Sequence, residues 1–328
     1  MDGAGADSRD PAPREPPADR PSRAEGLPAD EPGSVPPASM ESLATPRDAL
    51  QYRARGRPTV FLDQGRILAA QEEQIVLQEL GLDRLECALE FGEDRGGVLV
   101  RDAGPRRTWR VEHAGAVYYV KVHKAVPWRQ RLRFLGNVHS PARVEWDNLR
   151  ALRRAGFDVP EPVAVGEESA GIGFPQRSFL VTREVPGRPL DAVLAEGWPD
   201  PHQRGTRRAR DAVLRDVAGM IRRFHANGFI HKDLYLGHLI VAPDPRWGRP
   251  YFIDLQRVEQ RFPPRRRWLV KDLAALLLSA PSSVSRSDKL RFLLTYLCKT
   301  RLDPLARRWA RDILAKSERM SRHRPRYG

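Results

Sequence analysis

His231, Lys232 and Asp233 stand together, and Asp254 follows later in the same stretch. Each acid adjoins a short apolar run. Leu239-Ile240-Val241 comes after the first, and Tyr251-Phe252-Ile253 leads straight into the second. Pro243, Pro245, Gly248 and Pro250 break the chain between the runs, so two short strands joined by a turn bring the acids together. Two carboxylates placed this way suit phosphoryl transfer. One orients the attacking hydroxyl, and the other holds magnesium on the phosphates.

The elements that must position such a pair are legible upstream. Val98–Val100, Thr108–Val111 and Val117–Val122 read as three strands of an antiparallel meander, separated by Ala103-Gly104-Pro105 and Ala114-Gly115. Alternation in the third strand puts Tyr119, Lys121 and His123 on one face. Ser140-Pro141 starts a helix that ends at Gly156, with Glu145, Leu149 and Leu152 on one stripe. A glutamate on an apolar stripe needs a cationic partner, because an unpaired buried charge is costly. Arg177–Val185 reads as a further strand, residues 190–196 as a short helix, and Arg207–Ala226 as a long one. A basic turn, Arg265–Arg267, precedes a buried helix, and two more helices follow near 287–299 and 303–319. The stretch 66–91 reads as helical in part, with Gly81 as a stop. A strand-rich first half with one helix, followed by a helix-rich half, predicts two lobes with the site between them.

Composition bounds the partners. Residues 1–50 hold ten acids and five arginines, a net of −5, so of the formal +14 of this 328-residue chain the remainder carries +19. That charge favours anionic partners. Cys87 and Cys298 have no metal or redox spacing, which predicts a reducing compartment. No apolar run approaches the ~20 residues of a membrane span. The polar, acidic N-terminus resembles neither a secretory signal nor a transit peptide. Ten prolines between Pro11 and Pro46 predict disorder over residues 1–57.

Five segments together resemble the bacterial lipopolysaccharide kinase (Kdo/WaaP) family within the protein-kinase-like superfamily. They are RRTWRVEHAGAVYYVKVHK from Arg106, ARVEWDNLRALRRAGFDVPEPVAVGE from Ala142, HKDLYLGHLI from His231, YFIDLQRV from Tyr251 and RRRWLVKDLAAL from Arg265. The resemblance spans roughly Leu82 to Tyr296. It implies an α+β, two-lobed protein-kinase-like fold, with an N-terminal antiparallel sheet plus one key helix and a helical C-terminal lobe. The implied boundaries are a tail to 57, a helical lead-in over 58–91, an N-lobe over 92–186, a C-lobe over 187–320 and a basic tail over 321–328.

By the same resemblance, Lys121 holds the nucleotide's α- and β-phosphates and Glu145 orients it. Asp233 orients the acceptor hydroxyl, and Asp254 holds Mg²⁺. His231 and Asp272 brace the catalytic loop. Lys232 is either exposed or near the transferred phosphate. No G-x-G-x-x-G precedes Lys121. Gly96-Gly97 and the Gly104–Thr108 turn are the candidates for a phosphate-covering loop, with Arg106 or Arg107 in place of backbone donors. His238 occupies the position where protein kinases have an asparagine for a second magnesium, and imidazole is a poorer magnesium ligand than oxygen. Asp254-Leu255-Gln256 lacks the phenylalanine-glycine of the protein-kinase motif, so no activation-loop switch is expected.

The implied activity is ATP-dependent phosphorylation of a sugar hydroxyl on a lipopolysaccharide-core-like or other lipid-linked saccharide. The enzyme would be cytoplasmic and peripheral on the inner face of the cell membrane. Trp128–Phe134, Arg265–Arg267 and the C-terminal tail would meet anionic head groups. Competing readings are a kinase acting on protein, RNA or another small molecule, and a non-catalytic kinase-like binding module. No stacking-aromatic motif of an RNA module is present, and all four key residues argue against the binding module.

Overall fold

A computed structural model describes residues 57–124, 139–170, 174–197, 206–241 and 250–322. The expected disordered tail, the segment Trp128–Phe134 and the last residues of the basic tail lie outside these. Seven strands form one antiparallel sheet: β1 (Thr59–Leu62), β2 (Ile67–Ala70), β3 (Val98–Asp102), β4 (Arg106–His113), β5 (Ala116–His123), β6 (Pro162–Ala170) and β7 (Phe174–Arg183). Their spatial order is β1-β2-β6-β7-β5-β4-β3. Strands β3, β4 and β5 make the expected meander.

The helical expectation for 66–91 holds only beyond Gln74. Ile67–Ala70 is a strand, buried at all four positions and paired to β1 and β6. An apolar run of that length fits a buried strand as well as a helix segment, and pairing on both edges decides it here. Helices α1 (Gln74–Glu79) and α2 (Leu85–Leu89) then cover one face of the sheet. Leu77, Leu82, Leu85 and Leu89 pack there against Tyr118, Val120, Phe179 and Val181.

The opposite face receives α3 (Pro141–Arg154), whose N-cap Ser140 accepts a hydrogen bond from the Arg143 amide at 3.1 Å. Trp146, Leu149 and Leu152 of α3 join a second core with Val165 and Leu180 of the sheet and with the helical lobe. That lobe contains α4 (Leu190–Gly197), α5 (Thr206–Ala226), α6 (Arg266–Ser279), α7 (Arg286–Tyr296) and α8 (Pro304–Arg322). Short ladders join its loops: β8 (Arg188–Pro189), β10 (Leu239–Val241) and β11 (Tyr251–Phe252) form one, and β9 (Phe229–Ile230) with β12 (Glu259–Gln260) forms another. The architecture is α+β and two-lobed, as expected.

Gly228 shows why α5 must end where it does. Its φ is +79°, and a Cβ there would sit 2.7 Å from the Arg261 carbonyl oxygen. Only glycine lets α5 stop and the β9–β12 ladder close beside it.

Candidate active site

Four of the expected residues converge. Lys121 on β5 faces α3, where its Nζ lies 2.5 Å from Glu145 Oε1. The glutamate side chain is 2% exposed. The pair resolves two costs at once, since each charge supplies the desolvated partner of the other. Asp254, at the end of β11, adopts the left-handed conformation (φ 58°, ψ 58°), which aspartate tolerates better than most residues. Burial pushes its carboxyl up, but the charges of Lys121 and Arg106 outweigh that, and the net shift is downward. Asp254 stays ionised at neutral pH.

Period two separates the two arginines. Arg106 shares the face of Thr108 and Lys121, and its Nη1 lies 3.6 Å from Asp254 Oδ1 and 3.3 Å from Gln256 Oε1. Arg107 points to the other face and donates to Asp102 at 3.0 Å. Of the two candidates for the phosphate side, the fold brings in Arg106 and leaves Arg107 out. His123 shares the inner face, and burial together with the charges of Arg106 and Lys121 pushes its pKa down to about 3. It is a neutral ring at working pH.

The loop carrying Asp233 is fixed from below. The Asp272 carboxylate on α6, fully buried, accepts the His231 and Lys232 amides, both at 2.7 Å. Those bonds hold Lys232 at φ +69°, a conformation that a lysine leaves unless over-determined. His225 adds a contact to Asp272 at 3.3 Å. His231 is fully buried and donates from Nε2 to the Ile253 carbonyl at 3.2 Å, tying the loop to the Asp254 segment. Burial pushes its pKa down and favours the neutral ring, which suits a bracing role. His238 donates from Nδ1 to the Asp233 carbonyl at 2.7 Å, and its Nε2 lies 3.8 Å from Asp254 Oδ2. Lys232 itself pairs with Glu259 and lies 5.1 Å over the Trp268 ring, engaged within the chain. Asp233 does not cap the Leu236 turn, whose amide donates to Ser279 Oγ.

Three contributors are not apparent from sequence. Asn148, three residues after Glu145 on α3, donates to the carbonyls of Leu255 and Val258 at 2.8 and 2.9 Å. Arg257 donates to both oxygens of Asp233, and Lys271 approaches the same carboxylate at 3.8 Å. The spacing of Asn148 from Glu145 was the one available signal.

No cluster of three or more His, Cys, Asp or Glu side chains that could hold a metal occurs among the described residues. The site still fits a hard cation. Asp254 Oδ1 is buried without a hydrogen-bond partner, and magnesium commonly takes one or two carboxylates, with phosphates and water completing its shell.

A model of the lipopolysaccharide kinase (Kdo/WaaP) family matches residues 91–296. The lipopolysaccharide core heptose(I) kinase WaaP of Pseudomonas aeruginosa is 34% identical over 247 residues, covering 71% of this chain and 89% of that protein. Its Escherichia coli counterpart is 30% identical over 210 residues, 61% of this chain and 77% of that one. A solved structure described as WaaP in complex with acyl carrier protein superposes with a TM-score of 0.58 at 31% identity, covering 79% of this chain and 98% of that one.

Proposed function

The chain belongs to the lipopolysaccharide kinase (Kdo/WaaP) family, and from that premise we propose that it transfers the γ-phosphate of ATP to a hydroxyl of a lipopolysaccharide-core sugar. The observation that carries the reading is the Lys121–Glu145 pair at 2.5 Å beside an ionised Asp254. A binding module would have no use for so costly a buried pair.

Lys121 and Arg106 hold the nucleotide's phosphate oxygens, and their two charges stabilise the oxygens that gain charge during transfer. Asp254 would hold Mg²⁺, which supplies charge neutralisation on the phosphates when bound. Asp233 accepts a hydrogen bond from the sugar hydroxyl and takes its proton as the bond to phosphorus forms. Asp272, His231 and His238 keep the loop in register with Asp254.

Two partners follow. No described helix is long and apolar enough to cross a membrane. Contact with a lipid-linked acceptor at the inner membrane face would therefore be peripheral, through basic surface such as Arg265 and Arg267. The second is an acyl carrier protein. The helical lobe carries a half-open apolar pocket of about 540 Å³ lined by Leu194, Val217, Leu236, Leu273, Leu276 and Ile313. Its chemistry suits a fatty acyl chain, and the solved relative holds an acyl carrier protein.

Deleting the gene and comparing the cell-envelope glycolipids by mass spectrometry tests the activity. Loss of a core phosphate is expected, and an unchanged profile defeats the reading. Native mass spectrometry of the purified protein, with and without Val217→Asp, tests the carrier.

A further inference from the structure

Asp233 meets two cations that do not belong to its loop. Arg257 follows the Asp254 segment, and its Nη1 lies 2.9 and 2.7 Å from the two Asp233 oxygens. The Arg257 side chain is 54% exposed. Lys271 comes from α6, immediately before Asp272, and its Nζ lies 3.8 Å from Asp233 Oδ1. Burial pushes the Lys271 ammonium down, and the nearby Arg257 and Lys316 charges act in the same direction. Beside them, the half-buried Trp268 ring has the cations of Lys232, Arg267 and Lys271 within 5.1, 5.3 and 5.8 Å of its centroid. This group is distinct from the phosphate-side cations, Lys121 and Arg106, which gather at Asp254.

The geometry poses a conflict. Asp233 must accept a hydrogen bond from the acceptor hydroxyl, and Arg257 Nη1 already competes for both of its oxygens. The exposed pair is weak, so the guanidinium is free to turn to a second oxyanion, which its fork of donors can take through two nitrogens. We propose that Arg257 and Lys271, with the Trp268 ring beside them, form the acceptor subsite and bind an anionic group, phosphate or carboxylate, that the acceptor saccharide carries next to its reacting hydroxyl. The proposal rests on the sugar-kinase reading above. Without acceptor, Arg257 covers Asp233. When the acceptor arrives, Arg257 exchanges Asp233 for the acceptor's oxyanion and frees a carboxylate oxygen for the hydroxyl proton. A neutral sugar offers Arg257 and Lys271 no oxyanion and forgoes that binding contact.

The test uses deacylated lipopolysaccharide core from a strain lacking this gene, in three forms: native, stripped of phosphate esters by hydrofluoric acid, and with its carboxyls reduced to alcohols. Wild-type kcat/KM is expected to fall on the order of tenfold to a hundredfold for one neutralised form, and the form that fails identifies the oxyanion. Arg257→Ala is expected to use all three forms equally poorly, with its KM for ATP within about twofold of wild type. Arg257→Lys should recover part of the preference for the native form, and Lys271→Met should lose part of it. Equal use of all three forms by the wild type, or an undiminished preference in Arg257→Ala, overturns the subsite and leaves the sugar-kinase reading standing. Transfer to none of the three by the wild type removes that reading and the subsite with it.

Discussion

Each side chain in the site has a job that follows from what it touches. Lys121→Met would leave the Glu145 carboxylate buried without its cation, and should cost about 3–5 kcal/mol in urea unfolding besides abolishing transfer. Asp233→Asn removes the proton acceptor, and kcat should fall by about 10²–10⁴-fold. Stability should change little, because the Arg257 pair is largely exposed and worth about 0–1 kcal/mol. His123 makes an acid-sensitive contribution. Its folded pKa is about 3, against 6.5 for the free side chain. Between those values the unfolded chain binds a proton that the folded protein refuses, so stability drops as pH falls from 6.5 towards 3. His123→Gln should flatten that part of a pH series of unfolding midpoints. Lys121, Glu145 and Asp254 were legible because each is an odd residue for its apolar setting. Arg257 and Lys271 were not, since an arginine after a strand and a lysine on a helix look like ordinary surface until the fold sets them against Asp233.

At the level of elements, α3 links the two halves of the site. Its Glu145 fixes the lysine of β5, and one turn later its Asn148 holds the carbonyls of Leu255 and Val258. Asn148→Ala forfeits both bonds and should lower unfolding free energy by about 1–3 kcal/mol, with a parallel loss of kcat. The meander, α3 and the long helix were readable from periodicity and from the Ser140-Pro141 start. Ile67–Ala70 was not, because four apolar residues carry no period of their own, and only pairing with β1 and β6 makes them a strand. The β3 strand is the counterexample. It was read correctly although every one of its residues is exposed, because the turns on either side delimit it.

For the whole molecule, the half-open apolar pocket of about 540 Å³ presents leucine and valine side chains to solvent. Covering such walls removes apolar surface from water, worth about 25 cal/mol per Å². An acyl chain seated there would stabilise the folded state by mass action, by about 2.7 kcal/mol at a hundredfold excess over its Kd. On the acyl-carrier proposal, protein loaded with an acyl chain is expected to melt at a higher temperature than protein without one, as scanning calorimetry can show. Nothing in the sequence announced this cavity, since its leucines and valines are spread over α4, α5, α6 and α8 and read as plain core.

The bonds from Asn148 have a consequence for control. In an enzyme governed by a swinging helix, the helix must part from the metal-bearing segment to reach its off position. Here the two are stapled through main-chain carbonyls, next to a segment that lacks the usual switch sequence. Parting α3 from the Asp254 segment costs both bonds, so the Glu145 arm and that segment are expected to move as one piece.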